Sequence, residues 1–218
     1  MCKQELIDEI NAALPESPFV RNGGSLLLMV GLPGSGKSSI VENLYKLVPF
    51  VLISTDGIRA QIRRRPQYTA SEMTLVYQLS YQLIERRLRS GQRVVFDASN
   101  YLAARRDHVA KLAESCGAPV AVCLVQAAQE TIRERLFRRV TGNRRKGDLS
   151  DADWSVYKWM VEAQEPVMGP HLILDTTDTL PGPLAQKLYH YWINVEVDAA
   201  SNPDLQPPSW ASKLSSND

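Results

Sequence analysis

The stretch of this 218-residue chain that decides the fold reads Gly31-Leu32-Pro33-Gly34-Ser35-Gly36-Lys37-Ser38. It has the form GxxxxGK[ST], which specifies four positions and arises by chance on the order of once in a hundred chains of this length. An apolar run at 26–30 leads into it, and a helical pattern follows it. In such a turn the backbone N–H groups and the helix N-terminus converge on phosphate oxygens. The stretch therefore predicts a nucleotide-binding loop, the alternative being a glycine-rich turn that binds nothing.

Two side chains of this loop have predicted chemical roles. Lys37 is expected to reach the β- and γ-phosphates of the nucleotide, and Ser38 to ligate a magnesium ion. We therefore predict ATP, or a close relative, together with Mg²⁺ as the ligands. The predicted nucleotide-binding set is the whole loop, the neighbouring Ser39, and Arg135 further along the chain.

Outward from the loop, the chain alternates short apolar runs with helical patterns. Buried parallel strands are continuous apolar runs, and their alternation with helices indicates a parallel sheet covered on both faces. We predict an α/β fold of the P-loop NTPase, nucleotide-kinase-like type, with five parallel strands at 25–30, 50–54, 93–97, 120–125 and 171–175. Helices are predicted at 5–14, 37–47, 57–64, 71–89, 103–115, 129–139, 153–164 and 184–192.

Composition and charge are those of an ordinary globular domain. The chain is 44% hydrophobic and 22% charged, and its formal net charge is +1. With so small a net charge, the chain as a whole does not attract nucleic acid or an anionic membrane, so a polyanionic partner would have to bind a local basic patch. We expect an amphipathic helix and linker at 1–22, a P-loop domain at 23–198, and a flexible tail at 199–218, where Pro, Ser and Asn accumulate.

Cysteine usage and hydropathy bear on the compartment. The three cysteines, Cys2, Cys116 and Cys123, form no CxxC pair, which favours a reducing cytosol over a disulfide framework. The longest apolar run, at 26–30, is far shorter than the roughly 20 residues of a membrane span, and residues 1–10 lack a signal-peptide core. We predict a cytoplasmic protein with no membrane partner; nothing in the sequence marks an oligomeric state.

A carboxylate and an arginine follow the second predicted strand. Asp56 is placed at the carboxyl edge of the sheet, where ligands gather in open α/β folds, and Arg59 lies one helical turn further on. There Asp56 can orient a hydroxyl and accept its proton, while Arg59 can hold an anionic group of an acceptor. The alternatives are that Asp56 caps a helix beginning at 57 and that Arg59 is solvated, as is expected for 63–65.

The third predicted strand ends in Asp97. An acid after several apolar residues has the Walker B form, which supports magnesium in P-loop enzymes. By itself the pattern is weak, but its spacing from the phosphate loop makes Asp97 the second candidate magnesium residue beside Ser38. Ser99 and Asn100, which follow, fit a turn or the cap of the next helix equally well.

A basic segment follows the fourth strand. Between 131 and 146 it carries seven cations and one acid, Glu134; the cations are Arg133, Arg135, Arg138, Arg139, Arg144, Arg145 and Lys146. Cations on a closing lid would stabilise charge on a transferred phosphoryl group, and we predict such a lid at about 135–152. A solvated basic face is the alternative. The aromatics of 151–164 could stack the bases of a single strand or pack a helix onto the sheet, and packing is favoured.

With the loop, the Asp-x-x-Arg element and the arginines, the sequence resembles the polynucleotide-kinase-like P-loop kinases from about 25 to 178. The resemblance implies an ATP-dependent enzyme that phosphorylates a hydroxyl group. It implies that Asp56 activates the acceptor, Arg59 holds the acceptor's phosphate, and the lid arginines are Arg135 and Arg139. Lys37 and Arg139 are then catalytic with Asp56. The segment 146–159 looks longer than in the phage-type enzymes.

The implied acceptor remains open at this level. The superfamily includes kinases of small metabolites, antibiotics, nucleotide sugars and transfer RNA, so a polynucleotide 5′-hydroxyl is one option beside a small metabolite. The competing hypothesis is a nucleotide-dependent switch or adaptor ATPase with no phosphorylated acceptor. The sequence shows no Asn-Lys-x-Asp guanine-reading element.

Overall fold

The computed structural model describes residues 3–62, 69–141, 150 and 152–201. Five strands form one sheet in which every neighbouring pair is parallel, in the order β2-β3-β1-β4-β5. The strands are β1 (Ser25–Val30), β2 (Val51–Ser54), β3 (Arg93–Asp97), β4 (Val120–Gln126) and β5 (Leu172–Asp175). The predicted fold class is confirmed, since the strand count and the parallel direction agree with the sequence pattern.

Eight helices connect or flank these strands in the described residues. They are α1 (Lys3–Ala13), α2 (Lys37–Leu44), α3 (Thr55–Ile62), α4 (Ala70–Arg89), α5 (Ala103–Ser115), α6 (Gln129–Val140), α7 (Trp154–Ala163) and α8 (Pro181–Ala200). None of them combines the length and apolarity that a crossing of a lipid bilayer requires.

Two apolar cores lie on opposite faces of the sheet. Alternate residues of β1 divide between them: Leu26 and Leu28 join the core under α4 and α5, whereas Leu27 and Met29 join the core under α2 and α8. All six residues of β1 are buried, as expected for the central strand of a sheet covered on both sides. The loop that follows β1 is therefore held by the best-packed strand of the fold.

The N-terminal helix contributes to the first of these cores. Ile7 and Ile10 of α1 are 2% and 1% exposed, and α1 packs against α4. The Arg87 guanidinium of α4 donates to the carbonyl of Asn11 at 2.6 Å, which adds a polar contact between the two helices. The segment predicted as a separate lead-in thus shares its apolar face with the sheet domain.

Both ends of α8 differ from the sequence prediction. α8 begins at Pro181 rather than 184. Proline is accommodated in the first turn of a helix, because the N–H groups there have no hydrogen-bond partner within the helix and the one that proline lacks is not missed. The helix also continues to Ala200, where the prediction ended at 192, and an ion pair between Arg93 and Glu196 at 2.7 Å fastens its second half to the sheet. The rest of the predicted tail, 202–218, lies outside the described residues.

Candidate active site

The loop between β1 and α2 closes tightly at its glycines. Gly36 has φ of 96°, a conformation that favours glycine, and a Cβ there would lie 3.0 Å from the Thr176 hydroxyl. A Cβ on Gly31 would overlap the Val125 carbonyl. The loop is therefore pressed against the carboxyl ends of β4 and β5, and side chains at these two positions would push it out.

Lys37 lies at the start of α2 with its ammonium group folded over the loop. Nζ donates to the carbonyl of Gly31 at 2.6 Å and to that of Leu32 at 3.1 Å. Burial lowers the pKa of Lys37, while the carboxylates of Asp97 and Asp56 act in the opposite direction. The ammonium of this half-buried side chain thus lies inside the loop, within electrostatic range of both candidate carboxylates.

Ser38 and Asp97 meet at the base of the loop. The Ser38 hydroxyl donates to Asp97 Oδ2 at 3.1 Å, because β3 lies next to β1 in the sheet and ends beside the start of α2. Burial raises the pKa of Asp97, and Lys37 opposes that change. The structure therefore brings into contact the two residues that the sequence predicts as magnesium ligands.

Arg135 and Thr176 brace the loop from its other side. The Thr176 hydroxyl donates to the Ser35 carbonyl at 2.7 Å and accepts from Arg135 at 2.8 Å. Arg135 also donates to the carbonyls of Gly34 at 3.1 Å and Thr176 at 2.7 Å. The first predicted lid arginine thus contacts the phosphate loop itself and ties it to the residue that follows β5.

Asp56 lies in the first turn of α3, on the opposite wall of the same cleft. The helix predicted from 57 begins at Thr55, and the alternative in which Asp56 caps it does not hold, because the Ser54 hydroxyl accepts from the Gly57 N–H at 3.3 Å. Because the Ser54 side chain caps the helix, the Asp56 carboxylate does not serve as the cap and lines the cleft. It accepts instead from Arg59 at 2.5 Å and remains 33% exposed.

Three arginines of the basic segment reach the cleft. Arg135, Arg138 and Arg139 of α6 all line it, and Arg139 donates to the Ala152 carbonyl at 3.1 Å. Arg138, whose side chain is 69% exposed, pairs with Glu134 at 3.5 Å, and Arg133 lies 5.9 Å from the centre of the Trp154 ring. Residues 144–146 lie outside the described part of the chain.

The aromatic residues after this segment serve mainly for packing. Tyr157 and Met160 of α7 are buried in an apolar cluster with Leu32, Ile132 and Leu136. The Trp154 ring stacks on Tyr157 at 4.8 Å, which supports the packing interpretation. This cluster joins α7 and α6 to the second residue of the phosphate loop.

One cavity of about 1050 Å³ joins these features. Its lining includes most of the predicted site residues; of those residues, Gly31, Leu32 and Ser35 lie behind its surface. The site residues in the lining are Pro33, Gly34, Gly36, Lys37, Ser38, Ser39, Asp56, Arg59, Asp97, Arg135 and Arg139. Candidate residues that are far apart in sequence therefore converge on a single cleft.

Sequence reasoning missed two side chains that line this cleft, Thr176 and Tyr77, and one, Glu72, that is buried behind Arg59. The sequence offers only a weak indication that Thr176 belongs to the site, namely that it is a polar residue directly after a strand. Glu72 forms part of a Thr69-x-x-Glu72 capping sequence, and that pattern predicts a helix cap rather than the contact with Arg59 at 3.1 Å. Tyr77 lines the cavity, but its helical spacing on α4 predicts only core packing.

The donor groups fit a nucleotide with its cation. The Ser35 hydroxyl is buried inside the loop without a hydrogen-bond partner among the described residues, as expected where a phosphate group would complete the loop. Ser38 and Asp97 offer two hard oxygen ligands, and no cluster of three or more His, Cys, Asp or Glu suited to a metal exists in the described ranges. A cation here would take its remaining ligands from phosphate and water, as Mg²⁺ does.

The parallel sheet, the loop around Lys37 and the paired Ser38 and Asp97 define a P-loop protein with the kinase fold. The chain belongs to the AAA domain family, whose model matches residues 26–167.

Solved structures with the same fold include proteins of several organisms. Kti12 of Chaetomium thermophilum in complex with ADP-AlF3 is 22% identical, with a TM-score of 0.61 over 77% of this chain and 99% of that one. The APS kinase CysC of Mycobacterium tuberculosis, in complex with AMPPNP and APS, is 17% identical, with a TM-score of 0.59 over 77% and 96%. A sugar kinase of Janibacter sp. is 14% identical, with a TM-score of 0.58 over 81% and 98%. At these identities the likeness shows the fold.

Proposed function

We propose that this protein is an ATP-dependent kinase that transfers the γ-phosphoryl group of ATP to a hydroxyl group of an acceptor. One observation carries the proposal: a partly exposed carboxylate, Asp56, lies in the same cleft as the glycine loop, Lys37, and the hydrogen-bonded pair of Ser38 and Asp97. A protein that only bound nucleotide would not need this carboxylate. Residues 23–198 form the proposed catalytic unit.

On the nucleotide side, each residue has a defined task. The loop N–H groups and Lys37 bind the β- and γ-phosphates. On binding, the Lys37 Nζ exchanges its hydrogen bonds to the loop carbonyls for hydrogen bonds to phosphate oxygens. Ser38 and Asp97 would hold Mg²⁺, which would neutralise charge on the phosphate oxygens. Arg139, which is close enough to Lys37 to lower its pKa, balances charge that gathers on the transferred group.

On the acceptor side, Asp56 orients the incoming hydroxyl and accepts its proton. The hydroxyl oxygen forms a bond to the γ-phosphorus as the bond to the β,γ-bridging oxygen breaks, and ADP leaves. This arrangement supports the activity that the polynucleotide-kinase-like resemblance implies. A small metabolite such as those named for the sugar kinase and APS kinase neighbours, and a polynucleotide 5′-hydroxyl, are the acceptor classes to compare.

The test is transfer of label from γ-labelled ATP to a panel of sugars, polyols, nucleosides and oligonucleotides. Asp56→Asn should reduce transfer by about 10²–10⁴-fold, the usual contribution of a general base. The Kd for Mg-ATP should change little, because the loop does not depend on this carboxylate. Asp107→Asn, an exposed aspartate of α5, is the matched control and should retain full activity.

Two outcomes would contradict the proposal. Full transfer by Asp56→Asn would remove the proposed base. ATP hydrolysis with no labelled product from any acceptor or from a cell extract would favour the nucleotide-dependent switch instead.

A further inference from the structure

The first half of the phosphate loop packs against α6. Leu32 shares an apolar cluster with Ile132 and Leu136 of that helix. A Cβ on Gly34, where φ is 81°, would lie 3.0 Å from Ile132 Cγ2 and 3.2 Å from Leu136 Cγ. A side chain at 34 would therefore force the helix and the loop apart. The helix predicted to carry the lid arginines is thus in direct contact with the phosphate loop.

Arg135 adds polar contacts at the same place. Its Nη1 donates to the Gly34 carbonyl at 3.1 Å and to the Thr176 hydroxyl at 2.8 Å, and its Nη2 donates to the Thr176 carbonyl at 2.7 Å. The Thr176 hydroxyl in turn donates to the Ser35 carbonyl at 2.7 Å. Arg135 thus holds the carbonyls of two successive loop residues, one directly and one through Thr176.

The direction of these two carbonyls fixes the direction of the N–H groups that follow them. Every peptide bond of the described residues is trans, and in a trans peptide the C=O and the next N–H point opposite ways. The Gly34 carbonyl faces α6, so the Ser35 N–H points into the loop, where it donates to the Leu32 carbonyl at 3.1 Å. The Ser35 carbonyl faces the residue after β5. The Gly36 N–H therefore points into the loop as well, where a phosphate oxygen would accept from it.

We propose that Arg135 is a positioning residue that acts on the nucleotide through the loop: by holding two carbonyls outward, it aims the Gly36 N–H at the phosphates. The inference rests on the nucleotide-binding half of the proposed function. It departs from the resemblance, in which Arg135 is a lid arginine, and it gives two arginines of one helix different tasks. Arg135 shapes the loop, whereas Arg139 meets the charge of the transferred group.

Arg135→Lys tests this role, because lysine keeps the positive charge but lacks the planar fork that reaches two acceptors at once. The ligands are Mg-ATP, Mg-ADP, which lacks the γ-phosphate, and Mg-tripolyphosphate, which lacks the base and the ribose. A misaimed loop N–H weakens all three, so each Kd should rise roughly tenfold. Calorimetric titration of the folded protein measures these constants.

The pattern across the three ligands decides between the possible roles of Arg135. A Kd for tripolyphosphate that stays unchanged would assign Arg135 to the base or ribose, and an unchanged Kd for ADP would assign it to the γ-phosphate. Either result, or no change with any ligand, would overturn the inference. Arg133→Lys is the matched control, since Arg133 is an exposed arginine of the same helix; it should leave all three constants as they are.

A double variant tests whether Arg135 and Thr176 act as one network. If they do, adding Thr176→Val to Arg135→Lys should raise the Kd for Mg-ATP by no more than about threefold beyond the larger single effect. Effects that multiply to about a hundredfold would mean independent roles and would refute the inference.

A measurement without nucleotide completes the test. The amide signal of Gly36, followed by NMR in the ligand-free protein, should shift in Arg135→Lys and stay in place in Arg133→Lys. An unmoved signal in Arg135→Lys would show that Arg135 does not set the direction of this peptide group, contrary to the inference. None of these measurements needs an acceptor, so the kinase proposal can fail in the labelling assay while the role of Arg135 is decided separately.

Discussion

Thr176→Val tests whether the residue after β5 sets the geometry of the phosphate loop. Valine preserves the branched shape of threonine but removes the hydroxyl, which donates to the Ser35 carbonyl at 2.7 Å and accepts from Arg135 at 2.8 Å. Arg135 keeps its bond to Gly34, whereas the Ser35 carbonyl loses the bond that Thr176 made to it. We expect the loop to relax away from its phosphate-binding shape.

The magnitude follows from these contacts. Loss of the hydroxyl bonds at a buried site should cost about 2–3 kcal/mol in the free energy of unfolding, and a chain of this size should melt roughly 4–10 °C lower. The Kd for Mg-ATP should rise about tenfold, which corresponds to about 1.4 kcal/mol. Urea unfolding and calorimetric titration with Mg-ATP measure the two quantities separately.

Ser25→Ala provides the control for stability alone. Ser25 is at the other end of β1, roughly 15–20 Å from the loop, and its buried hydroxyl accepts from Trp192 Nε1 at 2.8 Å. This variant should lose about 1–3 kcal/mol of stability while its Kd for Mg-ATP stays unchanged. If Thr176→Val also keeps the wild-type Kd for Mg-ATP despite its lower stability, the hydrogen bonds of the Thr176 hydroxyl do not shape the phosphate loop and the reasoning fails.

Two further predictions concern single groups. Asp97→Asn should still bind ATP without magnesium but lose the added thermal stability that magnesium brings, and an undiminished magnesium effect in a thermal-shift assay would remove Asp97 from the metal site. Burial raises the pKa of Cys123 to about 12 from 9.0, so the folded thiol keeps its proton where the unfolded thiol ionises. Stability should therefore fall as the pH rises from 9 toward 12, and urea melts of Cys123→Ala should show a shallower fall. In native protein, Cys123 and the buried Cys116 should resist alkylation at about pH 8, as mass spectrometry of the labelled peptides would reveal.

The alternation of buried strands and helices was readable from the chain, because each element is specified by local periodicity and by the residues that end it. The segment 103–115 was predicted with the bounds of α5, and the strands came within a residue at each end. The ends of the other helices differ from the prediction by up to three residues, and α8 starts three residues earlier and ends eight residues later than predicted. At α3 the Ser54 hydroxyl makes the capping contact that the alternative gave to Asp56, and at α8 a proline lies in the first turn, ahead of the predicted start.

The residues of the cleft were named from sequence only where a motif has a fixed local form. The phosphate loop and the Asp-x-x-Arg element are of this kind, since their members lie within one or two turns of each other. Glu72 shows the limit: its spacing from Thr69 predicts a helix cap, and nothing local reveals that its carboxylate faces Arg59 at 3.1 Å.

By itself, the sequence determined that a strand, a glycine loop and a helix form a phosphate-binding turn in a five-stranded parallel sheet. Only the tertiary structure decided which distant groups reach that turn. The strand order places β3 beside β1 and so brings Asp97 to Ser38 across 59 residues, and it brings Thr176 to Ser35 across 141. Contacts of this range depend on how the strands are ordered and packed, which no local pattern encodes.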